Sequence, residues 1–176
     1  MTAKTFFNSI TNGKKDFLQE FIELLEKENI SYCVIGGLAV NAYAEPLVSL
    51  DLDIVIASRV TDKILLLFPR DWKVKTEKHS INISVTDSDL QVQIQRDERY
   101  QEFMKRAERK NVLGYELFVA SIEDVFQGKL WAYSDNERRQ SKRQKDLADI
   151  MRLVEVDSTL KKNLPKEIQE KIISNS

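Results

Sequence analysis

The stretch Asp51-Leu52-Asp53-Ile54-Val55-Ile56 sets the tightest limit on what this chain can fold into. Three consecutive β-branched apolar residues close it, which favours a strand buried on both faces, as at the centre of a sheet. Alternate residues of a strand point to one side, so Asp51 and Asp53 project together while Leu52 points away. Two carboxylates held side by side repel, and near a core that is costly unless something positive lies between them. A divalent cation meets that need, and Mg²⁺ takes one or two carboxylates together with phosphate oxygens.

Upstream, the short apolar run Ser31–Ile35 reads as a second strand, stopped by Gly36-Gly37. A short helix from Leu38 to about Ala44 is expected, arrested at Glu45-Pro46. A Gly-Gly turn ahead of a helix leaves backbone N–H groups open to phosphate, and the helix dipole adds to the attraction. Alone, Gly-Gly is an ordinary turn and Asp-x-Asp an ordinary surface pair. In the order strand, Gly-Gly turn, helix, Asp-x-Asp strand they bring phosphate and metal ligands together.

The rest of the chain fills in an α+β (α/β) plan. Phe17, Phe21, Leu24 and Leu25 fall at helical spacing over 15–28, and a helix is expected at about 59–68. Strands are expected at Trp72–Thr76, Ser80–Thr86 and Leu90–Gln95, with Asp87-Ser88-Asp89 as a hairpin turn between the last two. Tyr100, Phe103, Met104 and Ala107 give another helix, and from Leu117 the pattern is helical: about 121–133, about 140–155, and a short helix begun by Pro165. The expectation is a mixed sheet flanked by helices over 1–114, with a helical C-terminal part over 115–176 packed on it as one compact unit.

Composition narrows the function classes. Net charge is −1, so no global field draws the chain to nucleic acid. Yet Arg138 to Lys145 carries five positive charges within eight residues. It reads either as a solvated helix face or as a phosphate- or RNA-facing patch. The single cysteine, Cys33, sits in an apolar run as a small buried hydrophobe and forbids an internal disulfide framework. The lone histidine, His79, reads as a turn residue, so zinc sites and Cys/His catalysis lack residues. No signal-peptide pattern or membrane-length apolar stretch is present, and a cytoplasmic protein without membrane contact is expected.

Gly36-Gly37-x13-Asp51-x-Asp53 resembles the motif of the polymerase-β-like nucleotidyltransferase superfamily. The stretch Val119-Ala120-Ser121-Ile122-Glu123-Asp124, with Gly128-Lys129-Leu130-Trp131-Ala132 and Lys145-Asp146-Leu147-Ala148-Asp149-Ile150, resembles its AbiEii-type branch, whose members are often toxins of toxin–antitoxin systems. The resemblance spans about 32 to 155. It implies transfer of a nucleoside monophosphate from an NTP to an acceptor hydroxyl, on tRNA or protein for example, in a cell that also makes an antitoxin partner. On this resemblance Asp51 and Asp53 hold Mg²⁺ or Mn²⁺ and are catalytic, together with Lys129 and Asp146. Gly36, Gly37, Ser49, Lys129 and Arg143 bind the nucleotide.

Periodicity bears on the last of these residues. Lys129 lies amid Ile122, Val125, Phe126 and Tyr133 on the apolar face of its helix, where an ammonium needs an acidic or phosphate partner or must snorkel out. Asp146 and Arg143 fall on or beside the stripe of Leu147, Ile150, Leu153 and Val154, whereas Asp149, Lys145 and Arg152 face away. An ion pair of Asp146 with Lys129 or Arg143 that merely joins two helices is the competing reading. Trp131 and Tyr133 read as packing residues.

Two departures from the superfamily pattern stand out. The third carboxylate, expected from a later strand, is replaced by the all-glutamine face of Leu90–Gln95, with Gln93 nearest; Asp87, Asp89 or Asp97 would serve only in another register. The arginine expected after Pro46 is absent, Leu47 and Ser49 standing there instead. A nucleotidyltransferase-fold module that binds nucleotide or a partner protein without catalysis is therefore the alternative.

Overall fold

The computed structural model describes residues 1–173; the last three residues of the expected C-terminal part, 174–176, lie outside them. Seven strands form one sheet: β1 (Tyr32–Ile35), β2 (Asp51–Ile56), β3 (Lys73–Thr76), β4 (Ser80–Val85), β5 (Ser88–Gln95), β6 (Glu108–Val112) and β7 (Tyr115–Val119). Their order is β3-β4-β5-β2-β1-β7-β6, so β2 occupies the middle, as its Ile54-Val55-Ile56 run predicts. β2 runs antiparallel to β1 and parallel to β5, while β1 runs parallel to β7. The sheet is thus mixed, and the α+β (α/β) expectation is met.

By its internal contacts the chain forms two compact units, Met1–Ser121 and Ile122–Ser176. In the first, α1 (Ala3–Ile10) is capped by the Thr2 hydroxyl and α2 (Phe17–Lys27) by the Asp16 carboxylate, which accepts from the Gln19 N–H. α2 buries Phe17, Leu18, Phe21, Ile22 and Leu25, and Phe17 and Phe21 meet Trp72. The Tyr115 hydroxyl donates to both Asp16 oxygens at 3.0 Å, so one carboxylate caps α2 and fastens it to β7. α3 (Gly36–Val40) and α4 (Thr61–Leu65) are single turns, the latter preceded by a 3-10 turn at Ser58–Val60.

Several expectations need correcting. The β6–β7 hairpin replaces the helical start expected near Leu117. Its two turn residues, Leu113 and Gly114, have φ of +53° and +88°, as a type I′ turn requires. Leucine is a poor signal for that conformation, and the charged edge strand Glu-Arg-Lys-Asn-Val is a poor strand signal. Tyr115, Leu117 and Val119 nonetheless alternate inward in the expected period-two manner. The turn between β4 and β5 is Thr86-Asp87 rather than Asp87-Ser88-Asp89, because Ser88 already pairs with Val85. Glu98–Arg106 is 3-10 rather than α-helical, burying Tyr100 and Phe103. α1 is an element the periodicity did not suggest.

The second unit is helical: α5 (Ile122–Ser134), α6 (Gln140–Val156), a 3-10 stretch at Ser158–Asn163 and α7 (Lys166–Ile173). Among the described residues no helix is long and apolar enough to cross a membrane.

Candidate functional site

In the first unit the central strand and the turn after β1 bring five of the expected site residues together. Ile35 is the register partner of Asp53, so the chain that leaves β1 turns directly over that carboxylate. Gly36 makes the turn at φ +69°, and a Cβ built on it would sit 2.1 Å from Asp53 Oδ2. Only glycine allows both the backbone angle and the approach. Gly37 lies against Ser49, whose Oγ would be 3.3 Å from a Cβ at Gly37. Ser49 is buried, and its hydroxyl donates weakly to the Asp51 carbonyl at 3.3 Å. Asn41 fixes the loop that carries Ser49: its side chain donates to the Leu47 carbonyl at 2.7 Å and accepts from the Leu47 N–H at 3.0 Å. Asn41 escaped notice in the sequence because an asparagine at the end of a short helix carries no distinctive pattern.

Asp51 and Asp53 are half-buried while Leu52 between them is fully buried, so the pair shares one face of β2. Gln91 and Gln93 of β5 stand beside Asp51 and Asp53 in register, and Asn82 and then Lys75 continue the row from Gln93. Register partners lie on the same face. The position next to Asp53 therefore holds an amide, and Asp87, Asp89 and Asp97 do not take its place. Asp97 instead holds the Arg99 guanidinium, whose hydrogen bonds pull its carboxyl below the usual range against the opposing effect of burial. His79 is exposed and Cys33 fully buried.

The second unit holds the other expected site residues. Lys129 on α5 is 7% exposed, and Asp146 and Asp149 on α6 are 1% and 2% exposed. The Lys129 ammonium lies 3.0 Å from Asp146 Oδ1 and 2.7 Å from Asp149 Oδ2. One buried ammonium thus serves two buried carboxylates. Arg138 donates to Asp146 at 2.7 Å, and Arg152 to Asp149 at 2.8 Å. Burial alone would push the lysine toward its neutral form, but the Asp149 and Asp146 charges outweigh it and raise its pKa.

The inward reading of Lys129 and Asp146 thus agrees with the structure, while the outward placement of Asp149 does not. A stripe drawn through apolar residues alone cannot show a carboxylate that is buried by pairing. Arg143 donates its Nε–H to the Tyr133 carbonyl at 2.7 Å and lies over that ring at 5.2 Å.

No protein-family model matches the chain, and no curated protein matches its sequence. Solved structures do match. ANT(2'')-Ia in complex with adenylyl-2''-tobramycin superposes with a TM-score of 0.60 at 11% identity, covering 89% of this chain and 97% of that one. The lincomycin-bound lincosamide antibiotic adenylyltransferase LnuA gives 0.56 at 13%, covering 80% and 98%. An antigenic nucleotidyltransferase-like protein from Paracoccidioides brasiliensis gives 0.52 at 19%, covering 84% and 75%. At such identities the likeness is one of fold, and the fold is that of the nucleotidyltransferases.

Proposed function

We infer that the chain is a nucleotidyltransferase that moves a nucleoside monophosphate from an NTP to an acceptor hydroxyl. One observation carries the reading: a left-handed glycine turn is pressed onto one member of an aspartate pair on the central strand of this fold. Two carboxylates on one side of a strand suit a Mg²⁺ or Mn²⁺ ion that draws its other ligands from phosphate and water. Among the described residues no cluster of three or more His, Cys, Asp or Glu offers a protein-only cage. Asp51 and Asp53 would hold the ion, which when bound supplies charge neutralisation for the triphosphate and favours ionisation of the acceptor hydroxyl.

The chain's own residues do the rest. Backbone N–H groups at Gly36 and Gly37 face the phosphates, with the Ser49 hydroxyl beside Gly37. The acceptor oxygen bonds to the α-phosphorus, the bond from that phosphorus to the bridging oxygen breaks, and pyrophosphate leaves. The hydroxyl proton passes to solvent, because the Gln93 amide cannot accept it. The row Gln93, Asn82, Lys75 beside the pair is close to neutral, because Glu77 pairs with Lys75, and this suits an uncharged acceptor hydroxyl over a cationic one.

The AbiEii-like stretches support a toxin-like component with tRNA or protein as acceptor and an antitoxin as partner. On that resemblance Lys129, Asp146 and Arg143 of the second unit take catalytic and nucleotide-binding roles.

The test incubates the protein with Mg²⁺, each α-labelled NTP in turn and total cellular RNA, beside an Asp51→Ala/Asp53→Ala control. Label entering RNA or protein with the wild type alone is the expected result. Metal-dependent NTP binding without label in any acceptor would instead favour the non-catalytic module, with Gln93 as its cause.

A further inference from the structure

We propose that the second unit carries a phosphate-binding cleft of its own, built from Arg138, Arg143 and Lys171. The cleft, about 310 Å³, opens where the end of α5, the start of α6 and α7 meet. Its lining is one-sided in charge: those three cations, the amides of Asn136, Gln140 and Gln144, the Tyr133 phenol, and no carboxylate. Such a set offers many N–H donors to an anion, and the nearest carboxylates, Asp146 on Arg138 and Glu167 on Lys171, lie outside the lining.

The way each cation is held also favours an anion. Among the described residues Arg143 donates only its Nε–H, to the Tyr133 carbonyl, which fixes the plane of the guanidinium and leaves its two terminal amino groups for a ligand. Lys171 donates to the Tyr133 hydroxyl at 2.6 Å, lies over the same ring at 5.3 Å and pairs with the exposed Glu167 at 3.3 Å, a contact an anion in the cleft would compete with. Tyr133 is thus a buried post that holds both cations at the cleft, Arg143 through its carbonyl and Lys171 through its hydroxyl. Arg138 is anchored from behind by Asp146 and remains 38% exposed. Gln140 begins the 17-residue α6, whose cap Arg139 makes no side-chain cap bond and whose first turn has no acidic residue, so the positive end of its dipole stays unopposed. Exposed Arg139 and Lys145 continue the positive charge beyond the cleft. A polymer of phosphates would follow that charge; a single phosphate would use the cleft alone.

The cleft shares Arg143 with the nucleotide-binding role proposed above, but binding there does not need the Asp51–Asp53 pair, so the test removes that pair. Binding is measured by calorimetry on the full chain carrying Asp51→Asn/Asp53→Asn, in EDTA and low salt, with inorganic pyrophosphate and with a 5′-phosphorylated single-stranded RNA decamer as separate ligands. We expect at least one to bind. Arg143→Gln and Lys171→Gln should each weaken it by about tenfold, and Arg143→Lys by less. For RNA, losing Arg143 should also flatten the plot of log affinity against log salt by about 0.7. Binding of RNA alone identifies a nucleic-acid strand as the source of the phosphate, and binding of pyrophosphate alone a small phosphate. Thermal melts check that each variant is folded; Lys171→Gln, which spares the Arg143–Tyr133 bond, serves if Arg143→Gln is not. Absence of binding by both ligands, or equal binding by wild type and a folded Lys171→Gln variant, overturns the proposal.

Discussion

Gly36 and Gly37 are neighbours with different physical roles, and the difference is measurable. A methyl group at Gly36 meets both a φ of +69° and Asp53 Oδ2 at 2.1 Å, whereas at Gly37 it meets only the Ser49 hydroxyl at 3.3 Å. Gly36→Ala should therefore cost about 1–2 kcal/mol of stability from the backbone alone and abolish labelling by displacing Asp53. Gly37→Ala should fold normally and keep part of the activity. Equal activity in both variants, with equal melts, would remove Asp53 from the site. Gln93 allows the opposite experiment. Gln93→Glu places a carboxylate in register beside Asp53, so turnover should rise at saturating Mg²⁺ while the Mg²⁺ requirement changes. If labelling falls instead, the amide is serving the acceptor. The glycine turn, the aspartate pair and the glutamine row were all legible in the sequence, because period-two alternation and Gly-Gly report directly on backbone geometry. Asp149 was not, because its burial is decided by the ammonium of Lys129 on another helix.

At the scale of elements, α5 and α6 are joined by charge inside the second unit. Removing Lys129 takes away the cation shared by two buried aspartates and leaves each with a single arginine, Arg138 or Arg152, so Lys129→Met should destabilise by roughly 1–3 kcal/mol, or about 2–12 °C in melting temperature. Adding Asp146→Asn and Asp149→Asn should restore only part of that loss, since Arg138 and Arg152 then lose their carboxylate partners. The pH dependence has a definite sign. The Lys129 pKa is raised in the fold, so its contribution is fully present below the ordinary lysine value of about 10.4 and is lost as pH rises through the higher, folded value. The gap in melting temperature between wild type and Lys129→Met should accordingly hold constant from pH 6 to 9 and close only above about pH 10.4. A gap that closes near neutrality would mean the lysine is not held as a cation. The elements that escaped the sequence, α1 and the β6–β7 hairpin, share a cause: their stability comes from partners remote in sequence. Tyr115 on β7 is read as a strand residue only once its hydroxyl meets Asp16 and its ring meets Phe7.

For the whole molecule, a net charge of −1 means that attraction to a polyanion must come from local clusters and not from a global field. Three cleft cations set an upper limit on how steeply RNA binding at the cleft can depend on salt. At about 0.7 per phosphate contact to a single strand, three contacts give a slope near −2. Affinity for the RNA decamer should then drop by roughly 20-fold between 50 and 200 mM salt. Arg143→Gln should reduce that drop to about sevenfold. A fall of a thousandfold would demand more phosphate contacts than the cleft supplies, and would assign RNA binding to the wider run of basic residues along α6. A flat profile would point away from nucleic acid altogether, toward a protein or small neutral hydroxyl lying along the glutamine row beside Asp53.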